Sequence, residues 1–472
     1  MDAPNVIWLT LDSVRADRTS VHGYDRRTTP EMERIATAPK GAAFDDCFSH
    51  AIWSQPSITS MLTGTYPSAH GAGLHNEVLP SEIEPVSTRF DRAGYTTAGL
   101  SINPFFSEAT QLDRGFDRFR AITSVKDFLT RDSVVPALKY LRRIRSHSAG
   151  FSTEVSKHRQ DFVVNEIAKR WISDLAEGDD PFFMYAHYQG AHYPYYAPPQ
   201  WAEEFVAGET EMSLEEAMAF AYDRSSNIYR EIANGCAYTD DEWAALQAVY
   251  DASVAYSDWL VGELFDHLQA EGMENTVLVV TADHGDLLGE HGLISHNLST
   301  DDALLHVPAV TYGFPDVGSR TDEVVQHIDL IETLVAAGGA STNGMAGYDL
   351  REESRPYAVS QRGKETRDRT FTRAQEFNPE FTSHPDVHDS LVTALRTAEY
   401  KYVRSDDRTE LFNLPDETTD VSDDHPDVRD EFDGLYDDWF DRYGQPVEST
   451  ASASHSDAAK QRLEDLGYVM DG

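Results

Sequence analysis

Apolar runs that stop on a carboxylate organise the first two thirds of the chain. "NVIWLTLD" (5–12) and "TVLVVTAD" (276–283) show no polar alternation, as expected of strands buried on both faces of a parallel sheet, and each closes on Asp. "TTAGLSI" (96–102), "PFFMYAHY" (181–188) and "HVPAVTYG" (306–313) are further candidate strands. Helical periodicity lies between them, in "TPEMERIA", in "DASVAYSDWLVGELFDHLQAEG" (251–272) and in "HIDLIETLVAAGG" (327–339). Strands alternating with helices predict an α/β fold, a mainly parallel central sheet with helices on both faces. Sites in such sheets gather at the carboxyl ends of the strands, where Asp12 and Asp283 both lie.

The texture changes after about residue 345. "RPYAVSQ" and "LVTALRTAEYKYVRSDD" alternate as antiparallel strands do, and the acidic "DVRDEFDGLYDDWFDRY" predicts a helical tail. This divides the chain into an α/β domain over 1–345 and a small C-terminal α+β subdomain with an antiparallel sheet over 346–472. The 472 residues suffice for one large core and a smaller one.

Net charge is −42, and of the 39 basic residues eight are Lys, the balance of a surface kept hydrated in concentrated salt. The charge therefore indicates a halophile, and it argues against nucleic-acid binding, since a polyanion repels phosphates. Cys47 and Cys236 are too few for a disulfide framework and read as buried thiols. No leader-like stretch precedes the first apolar run, and no run reaches the roughly 18–20 residues that span a membrane, which leads to a cytoplasmic expectation. Residues 120–160 run against the global charge, with nine Lys or Arg to three acids. Within this helical insertion "VVPALKYLRRIRSH" has apolar positions at Val134, Leu138, Leu141 and Ile144. A surface helix paired to acids, a lid drawing in an anionic substrate and a patch on anionic lipid all fit that pattern.

Two short stretches carry candidate chemistry. "WSQPSITSMLTG" (53–64) predicts a helix with Pro56 in its first turn and Gly64 past its end. Ser54 at its entrance is either a cap or a nucleophile facing unpaired backbone N–H groups. "TADHGDLLGEHG" (281–292) places Asp283 and His284 where a strand turns, so both can reach one ion shared with Asp12. Carboxylate with imidazole suits Mn²⁺ or Zn²⁺, and added oxygen ligands favour Ca²⁺ or Mg²⁺.

Seven stretches in order, "NVIWLTLDSVRADRTSVHGY", "TTPEMERIA", "SQPSITSMLTGTYPSAHG", the run from "DASVAYSDW" to "TADHGDLLGEHG", "HIDLIETL", "LRTAEYKYVRSDDRTELFNL" and "RLEDLGYV", resemble the sulfatase family of the alkaline phosphatase superfamily, as a haloarchaeal-type member. The resemblance implies one divalent cation, Ca²⁺ by family habit, on Asp12, Asp283 and His284 with Ser13 beside it. It puts Ser54 at the position where the family has a Cys or Ser oxidised to formylglycine. His192 matches a His that binds the sulfate or protonates the leaving oxygen, and His296 stands where a Lys grips the sulfate. Arg15, through a carboxylate such as Asp17, orders the site; Ser57, His70 and His291, with Glu290, line or support it. Two departures matter: Ile58 and Thr65 replace arginines, and the loss of the first argues for an unmodified Ser54. The implied activity is hydrolysis of sulfate esters, of sulfated glycans or small molecules. Phosphate-ester cleavage or phosphoryl transfer through plain Ser54 is the alternative, and a non-catalytic glycan-binding relative a third.

Overall fold

The computed structural model describes residues 3–122, 133–147, 157–314, 317, 320–447, 449 and 451–465. Much of the basic insertion (123–132 and 148–156) and the end of "RLEDLGYV" lie outside the described residues. Among those described, the strands are β1 (Asn5–Leu11), β2 (Gly41–Phe48), β3 (Thr96–Ser101), β4 (Arg118–Ala121), β5 (Phe182–Tyr188), β6 (Thr276–Ala282), the two-residue β7 (Leu287–Leu288) and β8 (Ile294–Ser295), β9 (Ala309–Tyr312), β10 (Arg320–Gln326), β11 (Ala358–Arg362), β12 (Val392–Arg396), β13 (Tyr400–Arg404) and β14 (Thr409–Asn413).

Eight of them form one sheet in the order β10-β2-β9-β6-β1-β5-β3-β4. All run parallel to β1 except β9, which pairs antiparallel with both β6 and β2, so "HVPAVTYG" is a strand of opposite direction. β1 is central because it is apolar on both faces. Val6, Ile7, Leu9 and Leu11 are each at most 1% exposed, and each contributes about 1.5–3 kcal/mol by leaving water. The helices Asp161–Ala176 and Asp240–Ala270 pack in the same core. The second begins eleven residues before the periodic stretch at 251, where Thr239 and Glu242 form a capping box.

The register positions the site. Leu11 pairs with Ala282 on one side and Tyr188 on the other, so Asp12 and Asp283 leave the sheet side by side. Gly190, at φ +58°, lets the next loop close over them: a Cβ there would lie 2.2 Å from the Asp12 carbonyl oxygen, which the Ala191 amide meets at 2.8 Å. The four strands β11 to β14 form a separate antiparallel sheet followed by the helix Pro426–Tyr443. Gln361 of β11 donates its amide to His50 and Ser360 Oγ donates to Ser49, which ties this sheet to the segment entering the Ser54 helix. Arg355 grips buried Asp329 with two bonds of 2.6 and 2.7 Å and reaches the Tyr66 hydroxyl.

Candidate active site

The helix Ser54–Thr63 starts at the expected cap itself. Trp53 is the N-cap, at φ −154°, and no side chain caps the helix. The capping role for Ser54 is therefore absent. Its Oγ instead lies 3.3 Å from His284 Nε2 and 3.5 Å from Asp12 Oδ2. Gly64 ends the helix in the left-handed conformation, φ +69°. Ser57 Oγ and Ser49 Oγ both donate to the Asp283 carbonyl, at 2.6 and 2.5 Å, and so tie the Ser54 helix and the segment before it to the end of β6.

Asp12, Asp283 and His284 are all buried and offer ligand atoms within 4.8 Å of one another. Each is oriented by a named bond. The imidazole Nδ1–H of His284 donates to the Gly285 carbonyl at 2.8 Å, so Nε2 is the nitrogen facing the carboxylates; burial lowers its pKa but the charges of Asp283 and Asp12 outweigh it and raise it, and with a cation bound Nε2 would offer its lone pair. Asp283 Oδ1 accepts from the amides of Ser13 and His284, while its Oδ2, fully buried, has no hydrogen-bond partner. Two adjacent buried carboxylates, one with an orphaned oxygen, plus an imidazole lone pair are a donor set that fits a divalent cation. Burial and the neighbouring Asp12 charge push the Asp283 carboxyl up; burial acts the same way on Asp12 but is outweighed by His192, His187 and His284, which hold it ionised. Ser13, in a left-handed conformation at φ +60°, donates its Oγ to Asp12 Oδ1 at 3.1 Å, so it joins the cluster.

Two residues that the motifs did not single out hold Asp12 from behind. Asn103 Nδ2 donates to Asp12 Oδ2 at 2.8 Å, and His187 Nε2 meets the same oxygen at 3.1 Å. His187 is the penultimate residue of β5 and Asn103 follows β3, and Ser101 pairs with His187 in the register, so the sheet itself brings them together.

His192 is buried, its ring 5.0 Å from that of His296, which in turn lies 4.3 Å from His284. Its Nδ1–H donates to the Tyr193 carbonyl at 2.5 Å, and burial brings its pKa down to about 4, so it is neutral at pH 7. His296 does not supply the cation expected at its position. Burial holds it well below the ordinary imidazole value, and its Nδ1 faces Asp286 Oδ1 at 3.1 Å. Asp286 also accepts the Tyr195 hydroxyl at 2.7 Å and is raised by burial to about 8. A buried imidazole–carboxyl pair brings no net positive charge.

Two expected residues, His70 and His291, stand apart, and Arg15 makes its expected pair with Asp17. His70 binds Ser60 Oγ and the Ala72 amide, both at 3.1 Å, and packs the end of the Ser54 helix. His291 pairs with Asp301 at 2.9 Å in a groove lined by the C-terminal sheet. Arg15 is spent on Asp17 and Glu290, at 2.7 and 2.8 Å, and Arg15 Nη1 also donates to the Asp286 carbonyl, so it orders the loop after β6. Ile58, where an Arg was expected, is fully buried in the main core.

A mainly parallel sheet whose strand ends collect two Asp, a His and a serine hydroxyl defines an ester hydrolase of the alkaline phosphatase superfamily. The chain belongs to the sulfatase family, whose Sulfatase domain matches residues 4–340. It is 21% identical to the uncharacterized sulfatase YidJ of Escherichia coli (strain K12), over 95% of this chain and 89% of that one. It is 23% identical to arylsulfatase K of Homo sapiens, over 90% and 80% respectively. Among solved structures it resembles the phosphonate monoester hydrolase of Agrobacterium radiobacter, with a TM-score of 0.68, 18% identity and coverage of 93% and 96%. A protein in complex with its substrate D-glucosamine-2-N,6-O-disulfate superposes with a TM-score of 0.67, 17% identity and coverage of 94% and 98%.

Proposed function

We propose that this sulfatase-family hydrolase cleaves sulfate esters of glycans through an unmodified Ser54, with Asp12, Asp283 and His284 holding one divalent cation. The observation that carries the assignment is the approach of Ser54 Oγ to within 3.5 Å of Asp12 Oδ2 and 3.3 Å of His284 Nε2 at the start of a buried helix. When bound, the cation would neutralise the ester oxygens and lower the cost of deprotonating the hydroxyl. An imidazole among the ligands favours Mn²⁺ or Zn²⁺ over Ca²⁺. Ser54 attacks sulfur and forms a serine sulfate, the S–O bond to the alcohol breaks, and water then releases sulfate and restores the hydroxyl. His192, neutral with Nε2 as its acceptor, takes up the proton released by the nucleophile and returns it to the leaving oxygen. Asn103 and His187 keep the Asp12 carboxylate from rotating, and Ser49 and Ser57 fix the end of β6. Glycans enter as the substrate class because a structural neighbour holds a disulfated glucosamine.

A second reading, turnover of phosphate or phosphonate monoesters at the same site, is supported by Ile58. An apolar core side chain at this position removes the arginine that accompanies formylglycine, and an unmodified hydroxyl suits phosphoryl transfer. Intact mass and peptide mapping over 49–69 test the state of Ser54, and parallel assays of aryl sulfate, aryl phosphate and aryl phosphonate esters with Mn²⁺, Zn²⁺ or Ca²⁺ rank the chemistries. Faster turnover of the phosphorus esters with every metal would overturn the sulfate assignment.

A further inference from the structure

The helix Val134–Arg142, in the basic stretch, is anchored by one face only. Pro136 is buried, the Tyr140 ring lies 6.4 Å from Phe162, and Lys139 pairs with Glu166 on the helix Asp161–Ala176. At about 100° per residue, Val134, Leu138 and Leu141 fall within an arc of about 60° on the side opposite Pro136 and Tyr140. They are 48%, 61% and 61% exposed, and Val135 beside them is 49% exposed. Of the seven large apolar side chains that stand exposed among the described residues, four are these. Arg142 lies beside the stripe and Arg143 caps the helix at its C-terminal end; both are exposed, in a stretch carrying nine basic residues to three acids on a chain of charge −42.

Apolar stripe and basic flank have to be satisfied together. An anionic glycan would meet the arginines and leave the leucines in water. A second copy across a two-fold axis would set Arg142 and Arg143 against their own images. A neutral bilayer would take the stripe and ignore the charge. We infer that this helix docks on an anionic lipid bilayer, lying in the headgroup layer with Val134, Leu138 and Leu141 turned into the acyl boundary and Arg142 and Arg143 on lipid phosphates. The acidic remainder of the surface does not prevent docking, because its repulsion fades over about 8 Å at physiological salt and about 3 Å at 1 M.

The test is co-sedimentation of the full-length protein with vesicles of phosphatidylglycerol and phosphatidylcholine, and of phosphatidylcholine alone, at about 0.5 M salt where long-range repulsion is screened. The expected result is binding to the anionic vesicles, weaker by about tenfold or more on neutral ones, and lost by a similar factor in the Leu138→Glu/Leu141→Glu variant. Ester turnover and thermal midpoint stay unchanged in that variant. Arg142→Glu/Arg143→Glu lowers binding in the same direction and leaves the apolar stripe intact. Failure of the wild type to bind anionic vesicles, or equal binding by the Leu variant, overturns the proposal. So does a wild-type dimer in light scattering that the Leu variant dissociates, because the stripe is then an interface between copies.

Discussion

Asn103→Ala isolates how the carboxylate of Asp12, a proposed metal ligand, is held. The substitution removes the donor 2.8 Å from Asp12 Oδ2, a hydrogen bond to an ionised, buried acceptor. Such bonds contribute about 1.5–3 kcal/mol, and at about 1.4 kcal/mol per factor of ten the loss corresponds to roughly 10- to 150-fold in an equilibrium constant. His187 still reaches the same oxygen at 3.1 Å, so the lower part of that range applies, about 10- to 30-fold. The weakening falls on cation affinity, because the carboxylate of Asp12 must be held in one orientation before the ion arrives. Titration with Mn²⁺, followed by the paramagnetic resonance of the free ion, measures it directly. Asn103 Oδ1 also accepts the Phe105 amide at 2.9 Å, so the metal-free thermal midpoint serves as the control for a general loss of structure. An affinity within about twofold of wild type would refute the argument that orientation of Asp12 limits binding.

Ser54→Ala is expected to abolish ester turnover while Mn²⁺ affinity stays within about a few-fold of wild type, since the hydroxyl supports no core packing; loss of the fold by circular dichroism would contradict this. Mapping of the peptide over 49–69 should show serine at 54, with no species lighter by roughly two hydrogens. Burial holds His70 and His327 at about 3, below their unfolded values near 6.5. Each therefore contributes stability that is complete above about pH 6.5 and is lost as the pH falls towards 3, at about 1.4 kcal/mol per pH unit. Urea midpoints between pH 7 and 4.5 should fall, and His327→Gln should flatten the slope by that amount. Arg355→Ala leaves the Asp329 carboxylate buried without its partner and should cost about 3–5 kcal/mol in chemical denaturation; a cost under about 1 kcal/mol would show that water replaces the guanidinium.

The sheet was legible where burial on both faces erases alternation. β1 and β6 stand out as apolar runs, and their terminal Asp residues converge because the register aligns Leu11 with Ala282. β2 and β10 escaped because acids interrupt both, Asp45 and Asp46 in one and Asp322 and Glu323 in the other. At the site, Asp12, Asp283 and His284 could be paired from motif and strand end alone. Asn103 and His187 could not, since a lone Asn before Pro104 and a His at the end of an apolar strand look like loop and core residues until the sheet order puts β3 and β5 beside β1. The uncharged state of His296 was equally hidden. It depends on burial first and then on His284 and His192, which the fold rather than the neighbouring sequence brings beside it.

The central place of β1 has a consequence for biosynthesis. Of the strands of this sheet it is made first, yet 175 residues separate Asp12 from His187 and 270 separate Ser13 from Asp283. Until β5 and β6 emerge, β1 offers two bare apolar edges with no partner in its own sheet, the kind of exposed segment that chaperones shield. On the proposed metal assignment, the same order would make ion capture a late event. A nascent chain that ends before Asp283 carries Asp12 without its companions, so retention of a cation would mark the closure of the sheet and report on completed folding as directly as on chemistry.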